Sequence, residues 1–151
     1  MSRKKAYFMN GGAGRVIASI PAFEKLLEKD EDFIIVCEGG TDFYKGHPTL
    51  HERAYDNWHK NLFRDYVKER DCITPEPYRV WEYYNQKCSL AQAFDIAINN
   101  EGIRELQDAK IYMNKHELVH GYKVVEEVKA VTGKDKVVVF QPVGRTAENM
   151  G

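Results

Sequence analysis

A glycine-rich turn near the N-terminus carries the strongest signal for ligand binding. Residues 10–15 spell NGGAGR and lie between a short apolar run and an amphipathic segment, the order expected of a strand, a turn and a helix. Glycines let the backbone turn tightly and approach a ligand closely, and a helix N-terminus offers unpaired N–H groups to an anion. The predicted ligand-binding residues of this turn are Asn10, Gly11, Gly12, Gly14 and Arg15.

The turn departs from the two best-known phosphate-binding patterns. The dinucleotide-binding pattern requires Gly or Ala three residues after Gly14, where this chain has Ile17, and the Gly-Lys-Ser/Thr of a P-loop does not follow. Glu38 ends the second predicted strand at about the position where an acidic residue of a Rossmann domain binds a ribose hydroxyl. The alternative is that the glycines only form a tight connection between a strand and a helix.

A second motif has the spacing of a zinc protease. Residues 116–120 spell HELVH, and two histidines four residues apart share one face of a helix. At about 100° per residue, however, Leu118, Tyr122, Val125 and Val128 form the stripe expected to be buried, which places both histidines on the solvated face. A catalytic zinc site needs three protein ligands, and no third ligand stands out. We therefore predict no metal, and a zinc hydrolase is the least favoured alternative.

The glycine turn must be positioned by a βαβ unit. Ala6–Asn10 is predicted to be the first strand, residues 16–27 an amphipathic helix, and Phe33–Cys37 a second, fully buried strand. Two strands around one helix indicate an α/β domain with a parallel sheet. Ligands of such domains bind at the carboxyl ends of the strands, where Glu38 and the loop residue Asp42 would lie.

The rest of the chain contains weaker patterns. Further predicted elements are a helix over 58–67, a short buried strand at Asp71–Thr74, a helix opened by the Ser89–Gln92 capping box, a strand at Lys110–Met113, a helix at Asn114–Thr132 that ends at Gly133, and a strand at Lys136–Gln141. Val137–Phe140 is apolar throughout, so this strand is expected to pair with the first sheet or with another chain.

Two groups of polar and aromatic residues are weaker candidates for the site. The first is the loop after the second predicted strand, with Asp42, His47, His51 and His59; the expectation for most of them is simple solvation. The second is an aromatic cluster with the composition of a sugar-stacking platform, although such clusters more often form part of a core. Its members are Tyr78, Trp81, Tyr83 and Tyr84.

Composition limits the class of protein. The 151 residues are 43% hydrophobic and 30% charged with a net charge of −1, which indicates a globular domain and argues against a nucleic-acid partner. The three cysteines form no C-x-x-C pair and predict reduced core thiols. No apolar run approaches the roughly 20 residues of a membrane span, and no signal peptide is evident, so a cytoplasmic location is expected.

Two stretches resemble one enzyme family. Residues 11–23 (GGAGRVIASIPAF) are similar to the opening of heptosyltransferase-like glycosyltransferases of family nine, where a Gly-Gly-x-Gly-Asp turn leads into an aliphatic helix with an x-Pro-Ala-Leu segment. Lys110–Met113 (KIYM) resembles that family's linker strand, and residues 137–145 (VVVFQPVGR) resemble the strand and loop that begin its second domain. These pieces lie in a second stretch, Ala109–Arg145, which together with residues 11–23 covers about 50 of the 151 residues.

The resemblance implies a GT-B architecture, a three-layer αβα arrangement with a mostly parallel sheet. Residues 1–108 would form the Rossmann-like acceptor domain, and 109–151 the linker helix and first strand of a truncated donor domain, with Gly144 and Arg145 as further ligand contacts. The implied partners are a sugar or phosphorylated acceptor, a nucleotide sugar, and a second copy or a separate donor-domain chain. No cofactor is implied.

One departure from the family pattern bears on catalysis. Arg15 stands where the family has the aspartate thought to act as the general base, and a guanidinium does not act as a base at neutral pH. Because the donor domain is also expected to be truncated, the chain is expected to transfer sugar only if a donor domain complements it. The alternative is a non-catalytic nucleotide- or phosphate-binding module, in which Arg15 would bind the anion.

Overall fold

The computed structural model describes residues 4–29 and 31–142. The chain divides into two compact units between Tyr112 and Met113. The helices and strands of the first unit are β1 (Lys5–Met9), α1 (Ala13–Glu28), β2 (Phe33–Cys37), α2 (Thr41–Lys45), β3 (Ala54–Asp56), β4 (Asp71–Ile73), α3 (Trp81–Tyr84) and α4 (Leu90–Asn99). Short 3₁₀ helices at Leu50–Arg53 and Pro77–Arg79 and one π-helical turn at Phe63–Val67 lie between them.

The sheet has four parallel strands in the order β3-β2-β1-β4. Tyr7 of β1 is paired with Ile35 of β2 on one side and with Ile73 of β4 on the other. The chain adds β2 and β3 on one side of β1 and then crosses to place β4 on the other. The α/β, Rossmann-like fold class is thereby confirmed, and its topological switch point lies between β1 and β4.

Side chains along the central strands point alternately to the two faces of the sheet, and each face carries an apolar layer. On one face, Tyr7, Phe33 and Phe23 of α1 form an aromatic group with ring centroids 5.5–6.1 Å apart, and α1 and α4 cover it. On the other face, Ala6, Ile34 and Val36 pack against Val67, with Leu62 beside them. Both faces of β2 are buried, as its continuous apolar sequence predicts.

Two predicted elements of the first unit differ in the structure. Of the helix predicted over 58–67, only the turn at Phe63–Val67 forms, because Asn61 adopts φ 58°, a left-handed conformation that interrupts a right-handed helix. β4 is present but is not buried, since it is an edge strand. Cys72 on β4 is accordingly exposed, whereas a core position was predicted.

An extended segment, residues 100–112, crosses the helices of the first unit, and we call it the strap. No strand forms at Lys110–Met113, which was predicted as one. The side chain of Arg104 binds Asp95 of α4 through Nε and Nη2, at 2.7 and 2.8 Å. At its other end the ring of Tyr112 lies 5.3 Å from that of His47. Long-range side-chain contacts replace the strand pairing that the sequence suggested.

The second unit contains one helix, α5 (Lys115–Thr132), among its described residues. The predicted capping box of Asn114 and Glu117 is confirmed, as is the predicted end at Gly133. The stripe predicted to be buried is not: Leu118 and Tyr122 are 53% and 67% exposed. No strand forms at Lys136–Gln141, where one was predicted, because a strand needs a neighbouring strand and the described sheet consists of β1–β4.

Within the described ranges, no helix is both long enough and apolar enough to cross a membrane.

Candidate functional site

A cavity of about 230 Å³ lies at the carboxyl edge of the sheet. Each strand contributes a polar residue at or just beyond its end. Backbone hydrogen bonds join neighbouring strand ends: the Glu38 amide donates to Met9 O at 3.1 Å, and the Asn57 amide donates to Cys37 O at 2.9 Å. The lining residues are Phe8, Met9, Asn10, Val36, Glu38, Asn57 and Thr74. The structure thus brings together Asn10 and Glu38, two of the predicted ligand-binding residues.

The cavity has an apolar floor and a polar rim. Met9 and Val36 are buried beneath it, whereas the side chains of Asn10, Glu38 and Asn57 are exposed. Two amides, one hydroxyl and one carboxylate can donate and accept hydrogen bonds around a hydroxylated ligand. A few polar groups over an apolar floor is the arrangement usual for small-molecule sites.

Asn57 and Thr74 were not predicted as site residues. Asn57 follows β3, a three-residue strand whose sequence, Ala-Tyr-Asp, has no recognisable pattern. Thr74 follows β4 directly, and that strand was predicted. The rule that ligands bind at the carboxyl ends of parallel strands was therefore sufficient to find Thr74, and Asn57 required the structure.

The glycine turn leaves the N-terminus of α1 open. Gly11, Gly12 and Gly14 are exposed, and Gly12 is the N-cap of this 16-residue helix. No side chain caps the helix, and its first turn contains no acidic residue. The first N–H groups of a helix have no intrahelical acceptors and carry the positive end of the helix dipole, and those of α1 begin directly after the turn that follows β1.

Arg15 connects this turn to the chain that follows β4. Its Nη2 donates to Pro75 O at 3.2 Å, and the guanidinium lies 5.2 Å from the ring centroid of Tyr78 and 5.8 Å from that of Phe94. Gly11, at φ 96°, makes room for it, because a Cβ there would lie 2.7 Å from Arg15 Cδ. The Nε is buried without a hydrogen-bond acceptor among the described residues. These contacts make Arg15 a structural link, and ligand binding by its guanidinium stays a prediction.

The loop histidines do not line the cavity. His47 is buried, and its Nδ1 accepts hydrogen bonds from the amides of Thr49 and Leu50 at 3.2 and 3.1 Å, which fixes the turn after α2. His51 contacts the carbonyl of His47 at 2.8 Å. His59 packs against Tyr55 and Tyr66.

Three other predicted site positions remain. Asp42 is exposed in the first turn of α2 and is not among the cavity residues. Gly144 and Arg145 lie outside the described residues. In the ranges that the structure describes, no group of three or more His, Cys, Asp and Glu side chains could hold a metal ion.

Comparison with protein-family models, curated proteins and solved structures gives no match. The carboxyl edge of the sheet is therefore the feature from which we infer a function.

Cys37 is the last residue of β2, and its reactivity tests how tightly this end of the sheet is packed. Burial raises the pKa of the Cys37 thiol to about 12. The neutral thiol therefore stabilises the fold fully below its ordinary pKa of 9.0, and this contribution is lost as the pH rises through about 12. At pH 8 we expect a thiol reagent followed by mass spectrometry to modify Cys72 first, then the half-buried Cys88, and Cys37 only on unfolding. Rapid modification of Cys37 in the native state would contradict this packing.

Proposed function

We propose that the carboxyl edge of this domain binds a sugar that carries an anionic group, such as a phosphate. We further propose that the chain is the acceptor-side half of a GT-B sugar transferase, as its resemblance to the heptosyltransferase-like family implies. The observation that carries the proposal is the 230 Å³ cavity, whose rim contains Asn10, Glu38, Asn57 and Thr74, next to the open N-terminus of α1.

The rim supports the sugar part of the ligand. A sugar presents several hydroxyl groups around a compact ring, and each hydroxyl both donates and accepts. The carboxylate of Glu38 accepts two such donors, and the amides of Asn10 and Asn57 pair with a hydroxyl in both senses. Hydrogen bonds to a charged group contribute more than those to neutral groups, so Glu38 is expected to contribute most to affinity.

The open helix N-terminus supports the anionic part. Gly12 and Gly14 place no side chain between the first N–H groups of α1 and a ligand, and an added Cβ at either glycine would meet no atom within 4 Å. Phosphate groups bind at such termini through these N–H groups and the helix dipole. Asn10 lies both in the turn and on the rim of the cavity, so one ligand can reach both regions.

Transfer itself would need more than this unit. By the resemblance, Arg15 stands in the sequence where the family has its general base, and its guanidinium contacts Pro75 O and the ring of Tyr78. We therefore propose that this unit binds the acceptor, and that a donor domain outside this unit supplies the nucleotide sugar.

A nucleotide-binding module without transferase activity is the second candidate. The position of Glu38 favours it, because an acidic residue at the end of β2 binds ribose hydroxyls in dinucleotide-binding domains. Thermal unfolding separates the two, since a ligand that binds only the folded state raises the melting temperature. A shift with sugar phosphates supports the acceptor site, and a shift with nucleotides alone supports the module.

The Glu38→Gln variant tests whether the ligand binds in the cavity. The ligand for this test is the sugar phosphate that gives the largest rise in melting temperature. Loss of the carboxylate is expected to lower its affinity about tenfold, as measured by titration calorimetry. Glu52→Gln is the matched control, because Glu52 is exposed on the 3₁₀ helix at Leu50–Arg53 and does not line the cavity. Equal affinities in the two variants would place the ligand elsewhere.

Gly12→Asp tests the helix N-terminus, with opposite effects on stability and binding. An aspartate N-cap accepts from the first N–H groups of α1, so the free energy of unfolding should increase by a few tenths of a kcal/mol. The same carboxylate repels and displaces a bound phosphate, so the ligand-induced rise in melting temperature should disappear. Gly12→Asn is the control, because it caps the helix without adding charge. Undiminished phosphate binding in Gly12→Asp would exclude this terminus.

A further inference from the structure

We infer that Trp81 and Tyr84 form a second subsite, which stacks against an uncharged sugar ring of an extended acceptor. This inference rests on the proposed sugar-binding function, but it concerns a separate surface. Trp81 is 65% exposed and Tyr84 79% exposed, unusually high values for such large rings. They are three residues apart on α3, which places both side chains on the same face of this helical turn.

The opposite side of α3 is fixed to the domain. Tyr83 points away from the Trp81 face by helical geometry, and its ring packs edge-on against that of Tyr78 at 5.7 Å. The turn is closed at its far end by Asn85, whose Nδ2 and backbone N–H both donate to Trp81 O, at 2.9 and 3.0 Å. The two exposed rings therefore project from a backbone that is held on both sides.

Tyr78 connects this surface to the carboxyl edge. The guanidinium of Arg15 lies 5.2 Å from the ring centroid of Tyr78, and the same Arg15 binds Pro75 O, next to Thr74 on the rim of the cavity. The chain from Thr74 to Tyr84 thus runs from the proposed acceptor site to the exposed rings. The two surfaces are therefore joined by one short segment of chain.

The surroundings of the two rings favour a sugar as the occupant. Charged and amide side chains flank the rings in the sequence: Arg79 and Gln86 are exposed, and Glu82 is half-buried. A protein interface has a larger apolar centre. A pyranose has one face of C–H groups, which packs on an aromatic ring, and a rim of hydroxyls, which pairs with such polar neighbours. A nucleobase has no comparable rim of hydroxyl groups.

Fluorescence of Trp81 provides the test. The chain has two tryptophans, so the full-length Trp58→Phe variant reports on Trp81 alone. The probes are methyl α-glucopyranoside, methyl α-mannopyranoside, methyl α-galactopyranoside and maltose, with adenosine and uridine for comparison. We expect a saturable change in emission with at least one glycoside, with a dissociation constant on the order of millimolar. In this background Tyr84→Ala should weaken that binding at least about fivefold.

The controls separate this subsite from the cavity. In the wild-type background, Trp81→Ala should leave the phosphate-dependent rise in melting temperature unchanged. In the Trp58→Phe background, Glu38→Gln should leave the glycoside titration unchanged. Phe63→Ala, which removes another exposed ring from a different surface, should alter neither. No saturable response to any glycoside, a response to nucleosides alone, or equal affinities in Tyr84→Ala and its parent would each overturn the inference. A failed phosphate experiment with a positive glycoside titration would overturn only the proposed function of the cavity.

Discussion

Replacing Arg104 with methionine is expected to lower the free energy of unfolding by about 3 kcal/mol. Asp95 is 1% exposed, and its carboxylate accepts from Arg104 Nε and Nη2 and from Asn99 Nδ2 at 2.7–2.8 Å. Methionine preserves most of the apolar stem and removes the charge, which leaves the buried carboxylate without its cation. A buried carboxylate without a cation is strongly destabilising, so the expected loss in the free energy of unfolding is large. Urea denaturation followed by circular dichroism measures it.

Two further variants distinguish the ion pair from simple packing. Asp95→Asn combined with Arg104→Met removes both charges, so the double variant should be more stable than Arg104→Met alone. Lys29→Met breaks the ion pair with Glu101, in which both side chains are at least one-third exposed, and should change stability by less than about 1 kcal/mol. If Arg104→Met matched Lys29→Met, the Asp95–Arg104 pair would not be the main attachment of the strap.

The elements that sequence predicted well are those with complete local signals. Phe33–Cys37 was predicted with the observed bounds, because five consecutive apolar residues are ended by glycines and both faces of the strand are buried. The starts of α4 and α5 were predicted from capping boxes, whose two reciprocal hydrogen bonds involve residues three apart. Such features depend on neighbours in the chain, and a sequence contains them in full.

The elements that were missed depend on distant partners. The KIYM sequence at Lys110–Met113 has the composition of a strand, but the strap is instead fixed by Arg104 on Asp95 and by Tyr112 beside His47. The apolar stripe of α5 was predicted to be buried from its helical periodicity alone. Periodicity shows which residues share a face but not which surface, if any, packs against that face. Pairing of Val137–Phe140 with a second copy or another chain stays a prediction.

The same distinction applies to the candidate site. Asn10 and Glu38 were predicted because they lie at the ends of the first two predicted strands, and both line the cavity. Arg15 was predicted to contact a ligand, and this stays a prediction; in the structure its Nη2 donates to the carbonyl of Pro75, sixty residues away. Local sequence predicted where the turn would lie, whereas the direction of the guanidinium depended on the path of the chain after β4.

The second large effect is expected at the other end of the strap, at Gly46. A Cβ at this position would lie 2.4 Å from Tyr112 O, a backbone atom that moves only if the strap itself moves. Gly46→Ala should therefore separate the strap from α2 and cost about 2 kcal/mol, in the range of overpacked substitutions. The contact between the rings of Tyr112 and His47 would be lost with it. Limited trypsinolysis should show cleavage after the exposed Lys110 at least about tenfold faster than in the wild type.

Gly102→Ala is the control for that experiment, because Gly102 lies in the same strap and an added Cβ there meets no atom within 4 Å. It should leave both the unfolding free energy and the cleavage rate nearly unchanged. Gly46→Ala and Arg104→Met act on attachments at opposite ends of the strap. Only Gly46→Ala should therefore accelerate cleavage after Lys110 and leave the end of the strap near α4 protected from trypsin. Equal cleavage after Lys110 in Gly46→Ala and Gly102→Ala would show that the close approach of Gly46 to Tyr112 does not hold the strap in place.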